Sequence, residues 1–194
     1  GSWYAVPETQ SFPMMFCRDD VLEELGIRLE WLDTWETLME VVLPILQKKY
    51  LDIGMPAAIG SYGMFLYQNG GAFYTDKGDA SLMAQPVGIA SFEQFTTLYT
   101  DYKLPITYDF QNRFRSGEMP LAIQDFTAYN QMSVFAPEID GLWSMRPVPG
   151  TKRADGSIDR AVTGTVTGCS IMSASRKKEA AWEFIVWWTD TGAQ

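Results

Sequence analysis

Side chains able to do acid–base or nucleophilic chemistry are few in this sequence, and histidine is absent altogether. Without an imidazole as general base, Ser-His-Asp and Cys-His catalysis are excluded within these 194 residues. The two cysteines, Cys17 and Cys169, form no C-x-x-C pair, so the sequence does not support a zinc site. Each lies in an apolar, strand-like run, which favours buried thiols while leaving a disulfide open.

Carboxylates and aromatic rings are the useful groups that the chain has in quantity. Glu8 and Asp125 are the one pair of acids that we can nominate for glycoside hydrolysis, which needs two carboxylates about 5–5.5 or 6.5–9.5 Å apart. Aromatic residues make up 14% of the chain, with seven tryptophans and nine tyrosines. A few of them are expected to face a ligand, and most are expected in a core. The core set includes the tryptophans of the last predicted helix, at positions 182, 187 and 188.

The charge balance excludes several classes of partner. Twenty-four acidic and 15 basic residues give a formal net charge of −9, which repels nucleic-acid phosphates and anionic lipid surfaces. No apolar run reaches the roughly 18 residues that a membrane span needs. Gly1 is not a natural start, so a leader or an anchor is expected to lie outside this sequence.

Apolar periodicity and turn residues predict alternating strands and helices, which is typical of an α/β layer architecture. Helix N-caps are predicted at Asp33, Ser61 and Ser175, and a kink is predicted at Pro44. The double glycine at 70–71 is predicted to end the helix "SYGMFLYQN". Extended segments are predicted at "WYAVPE", "FPMMFC", "LDIGMPAAI", "MPLAIQDF", "GLWSMRPVPGT" and "AVTGTVTGCSIMS".

Six motifs in a fixed order resemble family 1 extracellular solute-binding proteins of bacterial ABC transporters. They are "WYAVPETQSFPMMFCRDDVLEELGI", "WLDTWETLMEVV", "YQNGGAFYTDKG", "RSGEMPLAIQDFTAYN", "VPGT" and "SRKKEAAWEFIVWWT". The resemblance covers nearly the whole chain. It implies a non-catalytic receptor that closes about a hinge on a mono- or oligosaccharide, without cofactor or metal, and delivers it to ABC permease subunits. It also implies an extracytoplasmic location, either periplasmic or lipid-anchored on the outer face of the cell membrane.

A fold class and a division of the chain follow from the same resemblance. The fold is expected to be an α/β lobe of the type II periplasmic-binding-protein kind, with helices packed on a mixed sheet in an incomplete two-lobed architecture. Residues 1–8 resemble the first strand that crosses between lobes, 9–164 the second lobe, 165–173 the next crossing, and 174–194 a helix of the first lobe. Apolar faces without the rest of the first lobe are expected to promote self-association, and a purely structural module is the alternative function for this form.

The resemblance also implies a ligand site at strand ends, where open α/β sheets bind ligands. Aromatic rings would stack on the C–H face of a pyranose, and carboxylates and amides would bond its hydroxyls. A hydrogen-bond network at the hinge is the alternative role for Glu8, and helix capping is the alternative for Ser61 and for Asp125. The candidate ligand residues are Glu8, Gln10, Ser61, Tyr62, Asp125, Phe126 and Tyr129.

Overall fold

The structure, a computed structural model, describes residues 4–193, and within it the chain forms two compact units. One unit runs from Pro13 to Thr163. The other combines the chain up to Phe12 with the chain from Gly164 onward. The divisions expected from the sequence fall after residues 8, 164 and 173, and the first three residues of the opening segment lie outside the described residues.

Helices and strands alternate along the chain, as the apolar periodicity predicts. The strands are β1 (Val6–Ser11), β2 (Pro13–Arg18), β3 (Ile53–Gly54), β4 (Leu121–Asp125), β5 (Trp143–Arg146), β6 (Thr151–Lys152), β7 (Ile158–Asp159) and β8 (Thr165–Cys169). The α-helices are α1 (Asp19–Glu24), α2 (Trp35–Thr37), α3 (Leu43–Gln47), α4 (Ile59–Gln68), α5 (Pro86–Thr100), α6 (Phe110–Ser116), α7 (Ala128–Phe135) and α8 (Lys178–Trp188). Short 3₁₀ helices occupy Leu29–Leu32 and Pro137–Ile139. Across residues 4–193, none of the helices has both the length and the apolar character that a membrane crossing requires.

A four-stranded mixed sheet, in the order β3-β4-β2-β5, forms the centre of the Pro13–Thr163 unit. β2 runs antiparallel to both β4 and β5, whereas β3 and β4 are parallel. The carboxyl ends of β3, β4 and β5 therefore point to the same edge of the sheet. At that edge Asp125, the last residue of β4, is paired with Pro13, the first residue of β2. Helices around a mixed sheet are the fold class that the sequence predicts.

The two faces of this sheet bury different side chains, because side chains alternate along a strand. Met15, Cys17 and Ile123 belong to the larger core, together with apolar residues of α3, α4 and α5. Phe16 belongs to a smaller core with Phe114 of α6 and residues of α7. None of these five side chains is more than 2% exposed. The sheet is therefore covered on both faces, as expected for an α/β layer fold.

The other unit is built on the antiparallel pair β1 and β8, with an irregularity in the ladder between Pro7 and Thr9. Of α8, only Ile185 is fully buried among the described side chains. Trp182 and Trp187 are 52% and 60% exposed, so the prediction that they pack in a core is wrong for this structure. Two strands offer too little surface to cover a helix that is apolar on several sides.

The N-cap of α2 is Thr34, and the prediction of Asp33 is wrong by one residue. Thr34 has an extended backbone, and its hydroxyl accepts a hydrogen bond of 3.3 Å from the N–H of Thr37. Asp33 already has a helical backbone conformation, and its carboxylate pairs with Arg160 at 2.8 Å. An N-cap residue has a non-helical backbone, which lets its side chain accept a hydrogen bond from an N–H of the first turn. Thr34 has such a backbone and Asp33 does not, so Thr34 is the N-cap.

The predicted caps of α4 and α8 are also wrong. Ser61 lies inside the first turn of α4, which begins after Ala58, and its hydroxyl donates to the carbonyl of Pro56 at 2.6 Å. The N-cap of α8 is Lys177, whose N–H donates to the Ser175 hydroxyl at 3.2 Å. Ser175 therefore stabilises the turn before the helix.

Two other local predictions concern helix irregularity and termination. A π-helical segment, Leu38–Val42, lies between α2 and α3, and Pro44 follows it as the second residue of α3; the kink at Pro44 stays a prediction. Proline has no N–H, so the helical hydrogen bond to the carbonyl of Glu40 cannot form. The glycine stop is confirmed: Gly70 has φ +78°, and its N–H donates to the carbonyl of Tyr67 at 2.9 Å. The two cysteines are free thiols, as the sequence favours.

Candidate functional site

The end of β4 places polar and aromatic side chains at the edge where the strand carboxyl ends meet. The strand begins with the buried run Leu121–Ile123 and ends at the exposed Asp125. The carboxylate of Asp125 makes no hydrogen bond or ion pair with any residue of the described chain. The N-cap of α7 is Thr127 and has no side-chain cap bond, so the alternative in which Asp125 caps this helix is wrong.

Phe126 lies just before the N-cap of α7 and Tyr129 lies in the first turn of that helix, and the two residues present neighbouring aromatic rings. Their ring centroids are 6.5 Å apart and their planes differ by only 8°. The N–H of Tyr129 donates to the carbonyl of Phe126 at 3.0 Å, which fixes the backbone that carries both rings. The residues are 39% and 43% exposed, so a ligand can reach both. Because the two rings lie side by side and nearly parallel, they form one apolar surface on which a ligand can stack.

Trp143 of β5 extends this aromatic surface, and sequence reasoning missed it. Its ring lies 5.7 Å from that of Tyr129 and stacks at 5.7 Å and 20° on Phe16, which is fully buried. We call the three rings of Phe126, Tyr129 and Trp143 the platform. The only signal in the sequence was the strand pattern of "GLWSMR", which says nothing about which helix lies beside Trp143.

Hydrogen-bonding groups accompany these rings. Within residues 4–193, neither the hydroxyl of Tyr129 nor the indole N–H of Trp143 has a protein partner. Gln124, one residue before Asp125, donates its amide N–H to the hydroxyl of Tyr108 at 2.9 Å. Burial raises the pKa of Tyr108 well above its usual value, so this phenol stays neutral and supports the strand end. The arrangement suits the binding of a flat, hydroxyl-bearing molecule.

Ser61 and Tyr62 have structural contacts inside the unit. Tyr62 is only 4% exposed, and its hydroxyl donates to the carbonyl of Gly88 at 3.2 Å. Its ring packs edge-on against Phe73 and Phe92 at 5.7 and 5.6 Å. Ser61 is 7% exposed and bonded as described above. Both side chains are therefore engaged inside the unit, and their contact with a ligand stays a prediction.

Glu8 and Gln10 belong to the other unit. Glu8 is half-buried, and its carboxylate accepts a hydrogen bond of 3.0 Å from the indole N–H of Trp188. This contact is a single hydrogen bond within the unit, and both the ligand role and the hinge role of Glu8 stay predictions. Gln10 is exposed, and its amide has no partner among the described residues. No group of three or more Cys, Asp or Glu in the described part of the chain could hold a metal ion.

The profile of a family described as bacterial extracellular solute-binding protein matches residues 1–194, which is the whole sequence. The chain belongs to this family. The resemblance of the six motifs is thereby confirmed. Proteins of this family are extracellular, and they bind solutes.

Solved solute-binding proteins share the fold of this chain. An ABC transporter solute-binding protein from Thermotoga lettingae, bound to α-D-tagatose, is 23% identical, with a TM-score of 0.79 over 98% of this chain and 50% of its own. The GacH receptor of Streptomyces glaucescens, solved with acarbose, is 19% identical, with a TM-score of 0.80 over 100% of this chain and 50% of its own. UgpB from Mycobacterium tuberculosis, bound to glycerophosphocholine, is 19% identical, with a TM-score of 0.79 over 100% of this chain and 49% of its own.

These similarities define the fold and its extent. At identities below 25% they show the architecture alone. The chain spans about half the length of each of these solved structures. A comparison with curated protein sequences gives no match.

Proposed function

We propose that this chain belongs to the solute-binding component of an ABC transporter and that its solute is a carbohydrate. The protein captures a mono- or oligosaccharide by closing about a hinge and delivers it to the permease subunits. It works in the periplasm or as a lipid-anchored protein on the outer face of the cell membrane. It performs no catalysis.

The platform is the observation that carries this proposal. A pyranose has C–H faces that stack on aromatic rings and hydroxyls that must regain hydrogen bonds when they leave water. Phe126 and Tyr129 supply the rings at the strand ends, and Trp143 adds a third. The carboxylate of Asp125 and the hydroxyl of Tyr129 are both unpaired with any described residue and can bond sugar hydroxyls. Apolar and hydrogen-bonding groups therefore stand side by side, as sugar recognition requires.

The solved neighbours support a hydroxyl-rich solute. Two of the three are bound to carbohydrate-like molecules, tagatose and acarbose. The third is bound to glycerophosphocholine, which carries a glycerol unit with free hydroxyls. Gln10 is proposed separately as a ligand residue, because its amide has no partner among the described residues. Glu8 is proposed to act mainly through its bond to Trp188.

Thermal unfolding of the protein at its full natural length, with a panel of mono- and oligosaccharides, tests this function. A ligand present at 100 times its Kd stabilises the native state by about 2.7 kcal/mol, which is visible as a higher Tm. We expect Phe126→Ala and Tyr129→Ala to weaken binding at least tenfold. Tyr74→Ala is the matched control, because Tyr74 is 59% exposed and is not part of the platform. Sugar products accumulating during the assay, or a Tm that no carbohydrate raises, would rule the proposal out.

A further inference from the structure

Arg146 is a half-buried arginine whose side chain makes no hydrogen bond, ion pair or ring contact with any residue from 4 to 193. The chain has 24 acidic residues for 15 basic ones, so carboxylates are plentiful. Every other arginine of the Pro13–Thr163 unit forms an ion pair with a carboxylate. These arginines are Arg18, Arg28, Arg113, Arg115, Arg153 and Arg160. Arg146 is thus the exception within this unit.

The strand register places Arg146 at the same edge of the sheet as Asp125. Arg146 is the last residue of β5, and it is paired with Met15 of β2. On its other side, Met15 is paired with Ile123 of β4. Because side chains alternate along a strand, Arg146 shares a face of the sheet with Ile123 and with Asp125, two residues further on.

The guanidinium and the carboxylate at this edge do not neutralise each other. One strand, β2, lies between β4 and β5, so the two backbones are separated by about 10 Å. No ion pair joins Asp125 to Arg146. A single ligand can span such a distance and contact both side chains.

Guanidinium chemistry indicates what would bind there. The group presents five N–H donors in a planar fork, which matches the two oxygens of a carboxylate, sulfate or phosphate group. A half-buried cation without a partner loses hydration, and an anionic ligand group would restore its interactions. The net charge of −9 repels anions at long range, but salt screens that repulsion beyond about 8–10 Å, whereas a contact pair is screened much less.

We propose that Arg146 binds an oxyanion group of the solute, so that the ligand is an acidic carbohydrate. This inference rests on the carbohydrate-binding function proposed above. Trp143 lies on the opposite face of the sheet from Arg146. Asp125 shares both the face and the edge of Arg146, so its carboxylate bonds hydroxyls of the sugar there, and Arg146 selects the molecule that carries the negative charge. The source of the charge is a uronate carboxylate, a phosphate ester or a sulfate ester, and all three have the same geometry toward a guanidinium.

Calorimetric titration of the protein at its full natural length with matched sugar pairs tests the proposal. The probes are D-glucuronate against D-glucose, D-galacturonate against D-galactose, and glucose 1-phosphate and glucose 6-sulfate against glucose, together with the corresponding short oligosaccharides. We expect the acidic member of at least one pair to bind ten or more times more tightly than its neutral partner. The pair that shows this preference identifies the source of the charge.

Variants of Arg146 complete the test. Arg146→Gln is expected to bring the ratio of affinities close to one, and Arg146→Lys to retain part of it. The Tm of unliganded Arg146→Gln should equal that of the wild type, since Arg146 bonds no described residue. Arg28→Gln is the matched control, because it removes an arginine that is 61% exposed on its side chain and lies in a 3.2 Å surface pair. It should leave the ratio unchanged.

The outcomes separate this inference from the function on which it rests. Equal binding of neutral and acidic sugars, or undiminished acid binding by Arg146→Gln, overturns the role of Arg146 and leaves the carbohydrate function standing. In that case the role of Arg146 is structural, and the aliphatic part of its side chain covers apolar surface beside Met15. No binding of any carbohydrate, together with no binding of free phosphate or sulfate, overturns both. A third outcome is that free phosphate or sulfate binds, that Arg146→Gln abolishes this binding, and that no sugar binds. This outcome supports the anion site and contradicts the carbohydrate-binding function.

Discussion

The indole nitrogen of Trp188 donates a hydrogen bond of 3.0 Å to the carboxylate of Glu8. Trp188 is the last residue of α8, and Glu8 lies at the irregularity in β1 between Pro7 and Thr9. The bond therefore ties a helix end to the one point of the β1–β8 ladder where the regular pairing is interrupted. Glu8, which the sequence nominates for ligand contact, therefore has a structural partner as well.

We expect this bond to contribute about 1 kcal/mol to the free energy of unfolding, since a hydrogen bond to a charged group is worth about 1.5–3 kcal/mol and this one is partly exposed. A double-mutant cycle with Glu8→Ala and Trp188→Phe, followed by urea unfolding, measures the coupling. Glu8→Gln is the control, because its amide oxygen still accepts the bond. A coupling energy indistinguishable from zero would contradict the prediction.

Tyr62→Phe is expected to reduce stability without changing ligand affinity. The substitution removes only the hydroxyl that donates to Gly88 at 3.2 Å, so the loss should be about 0.5–1.5 kcal/mol. Tyr62→Ala also removes a ring buried among aromatic neighbours and should cost about 3–5 kcal/mol. Chemical denaturation and sugar titration of the same samples check this. A large loss of affinity in Tyr62→Phe at normal stability would return Tyr62 to the ligand site.

Arg18 is expected to be among the least replaceable residues of the larger unit. It is 6% exposed and donates to the carbonyls of Phe114 and Arg115 at 2.8 and 2.9 Å, as well as to both carboxylate oxygens of Asp20. Arg18→Met leaves these acceptors unsatisfied, so a loss of about 3–5 kcal/mol is expected in urea unfolding. Arg28→Met, in an exposed pair, should cost less than about 1 kcal/mol.

Acid titration checks the same network independently. The hydrogen bond from Arg18 lowers the pKa of Asp20 below its ordinary value. The native state therefore holds this carboxylate ionised when the unfolded chain would already be protonated. The resulting stabilisation is complete above the ordinary pKa of 3.8 and is lost as the pH falls through the lower, folded value. Arg18→Met should make the free energy of unfolding less dependent on pH in this range. An unchanged dependence on pH would contradict the role of the Arg18 network.

Cys17 is expected to resist alkylation that modifies Cys169. Burial raises the pKa of Cys17 to about 12, and the residue has no exposed surface, whereas Cys169 is half-buried. Iodoacetamide at pH 8 followed by mass spectrometry should therefore label Cys169 in the native state and Cys17 only after unfolding. Equal labelling rates in the native protein would contradict this assignment.

The same pKa predicts a loss of stability in alkaline solution. Above pH 9 the unfolded state loses the Cys17 proton while the native state keeps it, so the free energy of unfolding falls up to about pH 12. The slope from one such group is at most about 1.4 kcal/mol per pH unit. Cys17→Ala should remove this component of the slope, which denaturant unfolding at several pH values measures.

The exposed tryptophans of α8 are expected to make the isolated 194-residue chain self-associate. Trp182, Val186 and Trp187 are all more than half exposed, and apolar surface that α8 leaves in water favours association. Sedimentation should give a mass above 21.9 kDa for this chain. Replacing both tryptophans by serine should shift it toward that value. Exposed Tyr50→Ser, on the other unit, is the control and should leave the mass unchanged.

Local chemistry in the sequence predicts much of the fold. The apolar run "MPLAI" becomes the buried strand β4, and Gly70 ends α4 with a positive φ because a glycine has no Cβ to clash there. Helix N-caps were less predictable. Thr34 and Asp33 are both good capping residues. Thr34 is the cap because its backbone is extended, whereas the backbone of Asp33 is helical.

The sequence by itself determined that this chain is a layered α/β protein with a polar and aromatic segment, Asp125 to Tyr129, directly after a buried strand. Composition, periodicity and turn residues act over a few neighbouring positions, so they can be read from the chain in order. Only the tertiary structure decided that Trp143 joins that segment, that Tyr62 is buried, and that Arg146 faces the same edge without a partner. Those relationships depend on which strands pair and which helix packs on which face, because contacts between distant segments are set by the burial of the whole core.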